Sequence, residues 1–390
     1  MKKLFSTLLA GVMAASLVGC SSSGSASKTA GSAAGSADSK SEMKVAMITD
    51  YGDITDQSFN QTTHDTAKKW CEANGVDFTY KKPATNADQD RETSMEEAIE
   101  EGYNVILMPG FAFAKPIADV APEHTDVKFV ALDVSQYDLD KAAGGKFDGP
   151  NVFSAVYQEE LAGYMAGYAA VKLGYKKLGY LGGMAVPAVQ RYGYGYAQGA
   201  DAAAKEMNLS DVTMSYVYGG AFNGSPDITA KMDTWISAGT ELIFAAGGSI
   251  YTSAAEAEKN AGKGKIIGVD VDQAAIIDGA YGKGLTVTSA MKGLAPTVEL
   301  LLNAIKDGKW SDYAGKIENL GIVDGDDPSK NFVQLPDSTQ WADGKFTKDD
   351  YKKLVKGMSD GSVKVDSDVS KEPKDWTFDA LKLTDEGSMG

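Results

Sequence analysis

Short apolar runs alternate with longer amphipathic stretches along most of this chain, and this alternation limits its fold more than any other feature. The runs are almost continuously apolar, which is typical of parallel strands buried on both faces. Strands are predicted at 44–50, 76–80, 104–108, 127–133, 177–182, 212–218, 241–246, 265–270 and 285–290. Helices are predicted at 58–73, 88–101, 114–123, 158–173, 188–207, 227–238, 251–261 and 294–306. This order predicts βαβ units and an α/β fold with a doubly wound parallel sheet.

The alternating region is too long for a single hydrophobic core, because cores stop growing at roughly 250–300 residues. The pattern breaks near 148–152, after a Gly-rich loop at 144–146. We therefore expect two doubly wound α/β lobes with a ligand cleft between them. The charged segment from Trp341 is less regular, and we expect it to pack on the surface through its aromatic side chains: Trp341, Phe346, Tyr351, Trp376 and Phe378.

Gly163 and Gly167 form a G-x-x-x-G pattern inside the predicted helix 158–173. In a lipid bilayer this spacing lets two helices approach closely. This helix begins with two glutamates and is too short to span a bilayer, so we expect close packing on the sheet instead.

The N-terminus reads as an export signal. Two lysines precede an apolar run at 4–17, and Leu17-Val18-Gly19-Cys20 follows. This predicts a signal peptide at 1–19 that is too short to remain as a membrane span. The last four residues resemble the bacterial lipobox, which implies acyl chains such as palmitate on Cys20 and a location on the extracytoplasmic face of the cell membrane. An ordinary signal peptide with an unrelated cysteine is the alternative. Residues 20–42 are mostly Ser, Gly, Ala and Lys, which predicts a flexible linker.

Charge and residue counts exclude several classes of function. Without Lys2 and Lys3 the chain keeps 36 basic against 54 acidic residues, a formal net charge of −18, which disfavours nucleic acid as a partner. Besides Cys20 the chain has only Cys71, and its histidines are His64 and His124. We therefore expect no internal disulfide, no cysteine or histidine metal site and no cofactor. No Walker motif is present, so the chain is not expected to hydrolyse nucleotides.

Polar residues follow several predicted strands, where ligands bind in open α/β sheets. They are Asp50, Asp133, the pair Gly247 and Gly248, Asp270 and Lys292. Carboxylates accept hydrogen bonds, so this group suits a neutral ligand rich in hydroxyl and amino donors. Glycines let the backbone approach a ligand closely. Taken singly, each aspartate reads more simply as the N-cap of the next helix.

An aromatic residue stands beside the first of these strand ends. Thr55 or Asp56 can cap the following helix, which places Phe59 and Asn60 in its first turn. If Phe59 faces the cleft, its ring offers a flat surface on which a base or sugar can stack. Burial in the core is the alternative, and the commoner one for phenylalanine.

Several segments together resemble one known family. They are KVAMITDYGDITDQSFNQ, FVALD, VYQEELAGYMAGYAA, LGYLGGMAVP, ELIFAAGG, IIGVDVDQ and LTVTSAMK. Over about 43–335 the chain resembles the basic membrane protein family of lipoproteins. These are purine nucleoside-binding components of ABC importers with the type I periplasmic binding protein fold. The resemblance implies an ABC permease as partner, a monomeric protein and no enzymatic activity.

The resemblance also implies roles for individual residues. Phe59 would stack on the purine, and Asp133 would bind the edge of the base. Asp270 and Lys292 would hold ribose hydroxyls, while the pocket would be completed by Asp50, Asn60, Gly247 and Gly248. The second stacking ring would be Phe222, with Tyr218 as the alternative. Gln57 stands where a lysine is common in relatives.

With this fold, the expected first lobe comprises 43–153 and 285–312. The second comprises 154–284 and 313–340, and 341–390 forms the extension. Other functions remain open at this point. The chain could bind another ligand, such as a flavin or a sugar, or act as a surface receptor or adhesin. A nucleoside hydrolase is a further alternative, because such enzymes also use clustered aspartates.

Overall fold

The structure is a computed structural model that describes residues 42–389. The signal peptide predicted at 1–19, the acylation predicted at Cys20 and nearly all of the linker predicted at 20–42 lie outside the described residues. Within 42–389, no helix has both the length and the apolar character needed to cross a membrane.

The described chain alternates strands and helices, and these include four strands and three helices that were not predicted: Val152–Tyr157, Lys316–Leu320, Val333–Gln334, Leu381–Ser388, Gln136–Ala143, Ala274–Tyr281 and Lys348–Asp360. The strands are β1 Lys44–Ile48, β2 Asp77–Lys81, β3 Val105–Pro109, β4 Lys128–Leu132, β5 Val152–Tyr157, β6 Lys177–Gly182, β7 Val212–Tyr218, β8 Leu242–Ala246, β9 Ile266–Asp270, β10 Thr286–Lys292, β11 Lys316–Leu320, β12 Val333–Gln334 and β13 Leu381–Ser388. The helices are α1 Phe59–Asn74, α2 Asp88–Glu100, α3 Ala114–Val120, α4 Gln136–Ala143, α5 Glu159–Leu173, α6 Pro187–Glu206, α7 Pro226–Ala238, α8 Tyr251–Ala261, α9 Ala274–Tyr281, α10 Leu294–Lys306 and α11 Lys348–Asp360.

Two sheets form the centres of two lobes. The first sheet has the order β11-β5-β4-β3-β1-β2, and all its neighbouring strands are parallel. The second has the order β12-β10-β9-β8-β6-β7-β13, in which only the short β12 runs antiparallel to its neighbour. The fold class predicted from the sequence, α/β with two parallel-sheet lobes, is confirmed.

The strand pairing departs from the predicted division between the lobes. Strand β5 lies in the first sheet, so the chain leaves the first lobe after Tyr157 and not at 153. Strand β10 pairs with β9 in the second sheet, whereas 285–312 was assigned to the first lobe. Strand β11 belongs to the first sheet, although 313–340 was assigned to the second lobe. The chain thus crosses between lobes after β5, after β10 and after β11.

The helix that follows the second crossing returns to the first lobe. Helix α10 packs against α1, and the Trp70 Nε1 donates a hydrogen bond to the Asn303 Oδ1 at 2.9 Å. The predicted segment 285–312 is therefore shared, with its strand in one lobe and its helix on the other. The division of the chain between the lobes is determined by pairing of strands that are distant in the sequence. The local pattern of apolar residues does not predict such pairing.

The C-terminal extension is more regular than expected. Helix α11 begins with a capping box in which Thr347 and Asp350 each bond the other's backbone amide. Strand β13 pairs in parallel with β7 and completes the edge of the second sheet. Between these elements, Trp376 stacks on Tyr194 with ring centroids 4.4 Å apart. The extension is part of the second lobe and not only a surface layer.

The paired glycines of α5 pack on a helix and not on the sheet. A Cβ on Gly163 or Gly167 would lie 2.2 or 2.0 Å from backbone carbonyl oxygens of α6. Gly195 and Gly199 of α6 stand equally close to α5, at 2.0 Å in both cases. The two backbones are therefore in direct contact, and this contact fixes the position of the first turns of α6, which reach the cleft.

Candidate ligand-binding site

The predicted site residues lie together around one cavity between the two lobes. Its lining includes every one of them: Asp50, Phe59, Asn60, Asp133, Phe222, Gly247, Gly248, Asp270 and Lys292. With the other lining residues they surround about 610 Å³ of space free of protein atoms, a volume that includes open solvent.

The strand-end aspartates do not cap the helices that follow them. Helix α4 is capped by Ser135, whose hydroxyl accepts from the Asp138 amide, and not by Asp133. Helix α9 starts at Ala274, whose amide donates to Asp272 and not to Asp270. The simpler interpretation of these aspartates as N-caps is therefore wrong.

Asp133 and Asp270 share an unusual backbone conformation. Each has a φ of 65°, in the left-handed region that residues with a side chain rarely occupy. Such conformations cost about 1–3 kcal/mol and cluster at functional sites. The two residues stand at equivalent ends of β4 and β9, so each lobe presents one strained aspartate to the cavity.

Helix α1 is capped by Asp56, as one of the two sequence interpretations expected. Its carboxylate accepts hydrogen bonds from the amides of Ser58, Asn60 and Gln61 at 2.9, 2.9 and 3.0 Å. These bonds hold the first turn, so Phe59 and Asn60 both line the cavity. Phe59 is half-buried there rather than enclosed in the core.

Lys292 is surrounded by carboxylates and aromatic rings. Its Nζ lies 2.6 Å from an oxygen of Asp133 and 3.0 Å from an oxygen of Glu159. The same ammonium stands 4.8 Å from the centroid of the Phe59 ring. Burial alone would lower the pKa of Lys292, but the negative charges of Asp133, Glu159 and Asp270 outweigh it and raise that pKa. Lys292 is therefore held as a cation.

All four carboxyl groups that line the cavity have raised pKa values, chiefly because they are buried: Asp50, Asp56, Asp133 and Asp270. Burial raises the pKa of Asp50 to about 6, against the lowering effect of neighbouring amides and of Arg91. Burial also raises the pKa of Asp133 to about 6, although the charge of Lys292 opposes this. Both groups change protonation close to neutral pH.

Several buried polar atoms of the cavity have no hydrogen-bond partner among residues 42–389. They are the Asn60 Oδ1, the Asp133 Oδ1 and the Tyr192 hydroxyl. An unsatisfied buried polar atom costs about 1–3 kcal/mol, so such atoms call for an explanation. Since all three residues line the cavity, a ligand that bonds to these atoms would supply the missing partners.

Aromatic rings reach the cavity from both lobes. Phe59 belongs to the first lobe, while Phe222 lies between β7 and α7 of the second. Tyr218, the alternative to Phe222, is buried with its hydroxyl bonded to that of Tyr216 and is not part of the lining. The structure thus places Phe222 at the cavity.

Two aromatic residues of the lining, Phe111 and Tyr192, were not predicted from the sequence. Phe111 follows the end of β3, so the strand-end rule could have found it if it had been applied to that strand. Tyr192 lies within α6, in a helix with no pattern that separates a cavity residue from a core residue. No signal in the sequence marks it.

Direct hydrogen bonds also join the lobes beside the cavity. The Ser58 Oγ donates to the Asp270 Oδ2 at 2.6 Å. The Gln273 Nε2 donates to the carbonyl oxygen of Gln57 at 3.1 Å, and Gln57 has a φ of 57°. The short loop before α1 therefore contacts the second lobe through both of its last residues.

Comparison with known proteins places the chain among transporter components. A profile of the Bmp family, described as "ABC transporter substrate-binding protein PnrA-like", matches residues 43–326. The "ABC transporter nucleoside-binding protein BmpA" of Lactococcus lactis is 28% identical over 289 residues, 70% of this chain and 77% of that protein. The "CD4+ T-cell-stimulating antigen" of Listeria monocytogenes is 28% identical over 298 residues, 72% of this chain and 78% of its own.

Solved structures agree on the fold. The solute-binding protein of an Aeropyrum pernix ABC transporter superposes with a TM-score of 0.64 at 20% identity, over 83% of this chain and 87% of that one. A solute-binding protein of Conexibacter woesei gives a TM-score of 0.62 at 22% identity, over 83% and 99%. The architecture is that of type I periplasmic binding proteins. With its profile match over 43–326, the chain belongs to the Bmp family of PnrA-like ABC transporter substrate-binding proteins.

Proposed function

We propose that this protein captures purine nucleosides and delivers them to the permease of an ABC importer. The observation that carries the proposal is the composition of the cavity, which combines aromatic rings from both lobes with carboxylates and one lysine. A purine nucleoside suits this combination, because its flat base can stack on the rings, its N–H and hydroxyl donors can bond the carboxylates, and its hydroxyl oxygens can accept from the lysine. The name of the Lactococcus lactis relative is consistent with such a ligand.

The contacts suit a nucleoside in one orientation. The base would lie between the rings of Phe59 and Phe222, where stacking contributes about 1–3 kcal/mol. The free Oδ1 of Asp133 would accept a hydrogen bond from an N–H of the base. Asp270 and Lys292 would bond the ribose hydroxyls, and the backbone at Gly247 and Gly248 would approach the ligand closely.

We further propose that the protein works as a monomer anchored through acyl chains on Cys20 at the extracytoplasmic face of the bacterial cell membrane. The lipobox resemblance at 17–20 supports this anchor. A tether would keep the binding protein near its permease and raise the effective concentration of the pair. Metabolic labelling with a fatty acid, in the wild type and in Cys20→Ser, tests the anchor, and labelling of both forms would contradict it.

A thermal-shift panel tests the ligand class. We would compare inosine, adenosine and guanosine with free bases, riboflavin and sugars. A ligand at one hundred times its dissociation constant stabilises a protein by about 2.7 kcal/mol. We expect shifts with purine nucleosides, and smaller ones with free bases that lack the ribose contacts. A shift with riboflavin or a sugar but with no nucleoside would overturn the proposal.

The aspartates near α1 do not favour a hydrolase. Asp53 forms an ion pair with Lys82 at 2.7 Å, and Asp56 is occupied in capping α1. Neither is free to join Asp50 in a calcium site of the kind that nucleoside hydrolases use. We expect purified protein to release no free base from inosine or adenosine, and release of base would show that the chain is an enzyme.

A further inference from the structure

A row of alternating charges extends from the cavity into the second lobe. Glu159, the first residue of α5, is fully buried and lies 3.0 Å from the Lys292 ammonium through one oxygen. Its other oxygen lies 2.6 Å from the Nε of Arg191 in α6. With Asp133 on the far side of Lys292, the order is carboxylate, ammonium, carboxylate and guanidinium.

The members of this row belong to different lobes. Asp133 follows β4 of the first lobe, whereas Lys292 ends β10 of the second. Helix α5, which carries Glu159, packs against α6, β10 and β12 and so moves with the second lobe. If the lobes separate to admit a ligand, Lys292 loses Asp133 but keeps Glu159. A buried cation without any partner would be strongly unfavourable, so the second carboxylate has a definite task.

On this geometry we propose that Glu159, itself held by Arg191, is a positioning residue for ligand capture. It keeps the Lys292 ammonium in place and shares its charge, which leaves one oxygen of Asp133 free for the ligand. The proposal rests on the proposed function for its ligand, but the arrangement of charges within the protein can be tested without one. It assigns Glu159 no contact with the ligand.

A purely structural role is the competing explanation. Glutamate in the first turn of a helix interacts favourably with the helix dipole, and a buried Glu–Arg pair stabilises any fold that has formed around it. A variant at Glu159 would then lose stability and, through it, binding. The two explanations can be distinguished with a variant that regains its stability but still lacks the carboxylate of Glu159.

The variant pair Glu159→Gln and Glu159→Gln/Arg191→Met makes that distinction. The single variant leaves the guanidinium of Arg191 without its partner, so its melting temperature falls. The double variant removes that charge too, and we expect most of the stability to return. If Glu159 positions Lys292, the affinity of both variants for inosine stays about tenfold weaker than that of the wild type. A change of this size is typical of residues that are coupled in one ion-pair network.

Two further variants serve as references. Glu159→Asp keeps the charge and should recover most of the affinity. Glu160→Gln removes the neighbouring buried carboxyl, whose pKa burial raises to about 7, and should bind inosine as the wild type does. Affinity that recovers together with the melting temperature in the double variant would overturn the proposal, as would equal loss in Glu160→Gln.

A ligand-free measurement distinguishes failure of this proposal from failure of the proposed function. The charged groups that act on the Asp133 carboxyl are Lys292, Glu159 and Arg191. Glu159 raises the pKa of Asp133 by repulsion, so in Glu159→Gln a carbon-13 NMR titration should show that this pKa is lower than in the wild type. The double variant should show a smaller decrease. An unchanged value would overturn the proposal, whereas absence of nucleoside binding by the wild type would overturn only the function.

Discussion

The ammonium of Lys292 lies 2.6 Å from a carboxylate oxygen of Asp133, and this ion pair joins the second lobe to the first. The Ser58 hydroxyl makes a second connection, to Asp270 at 2.6 Å. Three of these four residues line the cavity. The same side chains therefore take part in closing the lobes and in facing the ligand, so ligand binding and lobe closure are linked.

Ser58→Ala tests the contribution of the second connection. A hydrogen bond to a charged acceptor contributes about 1.5–3 kcal/mol. The bond from Ser58 to Asp270 joins the two lobes, so the variant loses this contribution only when the lobes are in contact. We expect small-angle scattering to show a larger radius of gyration for the ligand-free variant, and calorimetry to show weaker ligand binding. Thr55→Ala is the control, because that hydroxyl bonds Asp53 within the same lobe. Equal closure and equal affinity in both variants would contradict the linkage.

Phe59→Ala tests whether the half-buried ring faces a ligand or supports the core. Stacking on a base contributes about 1–3 kcal/mol, so we expect inosine to bind about 5–150-fold more weakly. The melting temperature should fall no more than in Phe78→Ala, which removes another half-buried ring from the same lobe. That control should leave the affinity unchanged. If Phe59→Ala unfolds the domain, the ring belongs to the core.

The pH dependence of binding follows from the raised pKa values of Asp50 and Asp133, both about 6. A carboxylate accepts hydrogen bonds from ligand donors in its ionised form, and protonation replaces one acceptor by a donor. We expect the affinity for inosine to be constant above about pH 7 and to decrease below 6 by up to about tenfold per pH unit for each of the two carboxylates that the ligand requires in ionised form. Calorimetry from pH 5 to 8 measures this, and a flat profile would show that neither ionised group contributes.

Asp50→Asn should stabilise the ligand-free protein in a pH-dependent way. The pKa of Asp50 is about 6 in the folded state, above its ordinary value of 3.8, so ionisation opposes folding. Below about pH 4 the carboxyl is protonated in both the folded and the unfolded state, so it does not lower the stability. As the pH rises from there through 6, the unfolded state ionises more readily than the folded state, and the stability decreases. At about 1.36 kcal/mol per tenfold change in proton affinity, the gain in unfolding free energy at pH 8 is at most about 3 kcal/mol.

Urea denaturation at pH 8 and pH 4 measures this gain. We expect the unfolding free energy of the variant to exceed that of the wild type at pH 8 and to equal it at pH 4. Asp53→Asn is the matched control, because Asp53 is exposed and paired with Lys82, which lowers its pKa. A variant that is no more stable at pH 8 would show that Asp50 is not held at an energetic cost to folding.

Residues at strand ends could be found from the sequence because their position follows from local order. Asp133 and Asp270 come directly after apolar runs, and parallel strands bring such positions to one edge of a sheet. Glu159 and Tyr192 could not be found this way, because each reaches the site from a helix whose placement depends on the contact between α5 and α6. The sharing of 285–312 between the lobes was missed for a similar reason, since the pairing of β10 with β9 and β12 joins segments that are distant in the sequence.

The charge of the cavity predicts a discrimination between nucleosides and nucleotides. Asp50, Asp56, Asp133 and Asp270 all line it, while Lys292, its one lining cation among the described residues, already contacts two carboxylates. A 5′-phosphate would add about 1.5–2 negative charges at neutral pH without a free cation to receive them. We expect inosine 5′-monophosphate to bind at least about a hundredfold more weakly than inosine, as measured by calorimetry.

Inosine with a neutral 5′-acetyl group of similar bulk is the control for size: if it binds as poorly as the phosphate, then space and not charge excludes the nucleotide. Tight binding of the monophosphate would mean that the carboxylates of this cavity are largely neutral when a ligand enters.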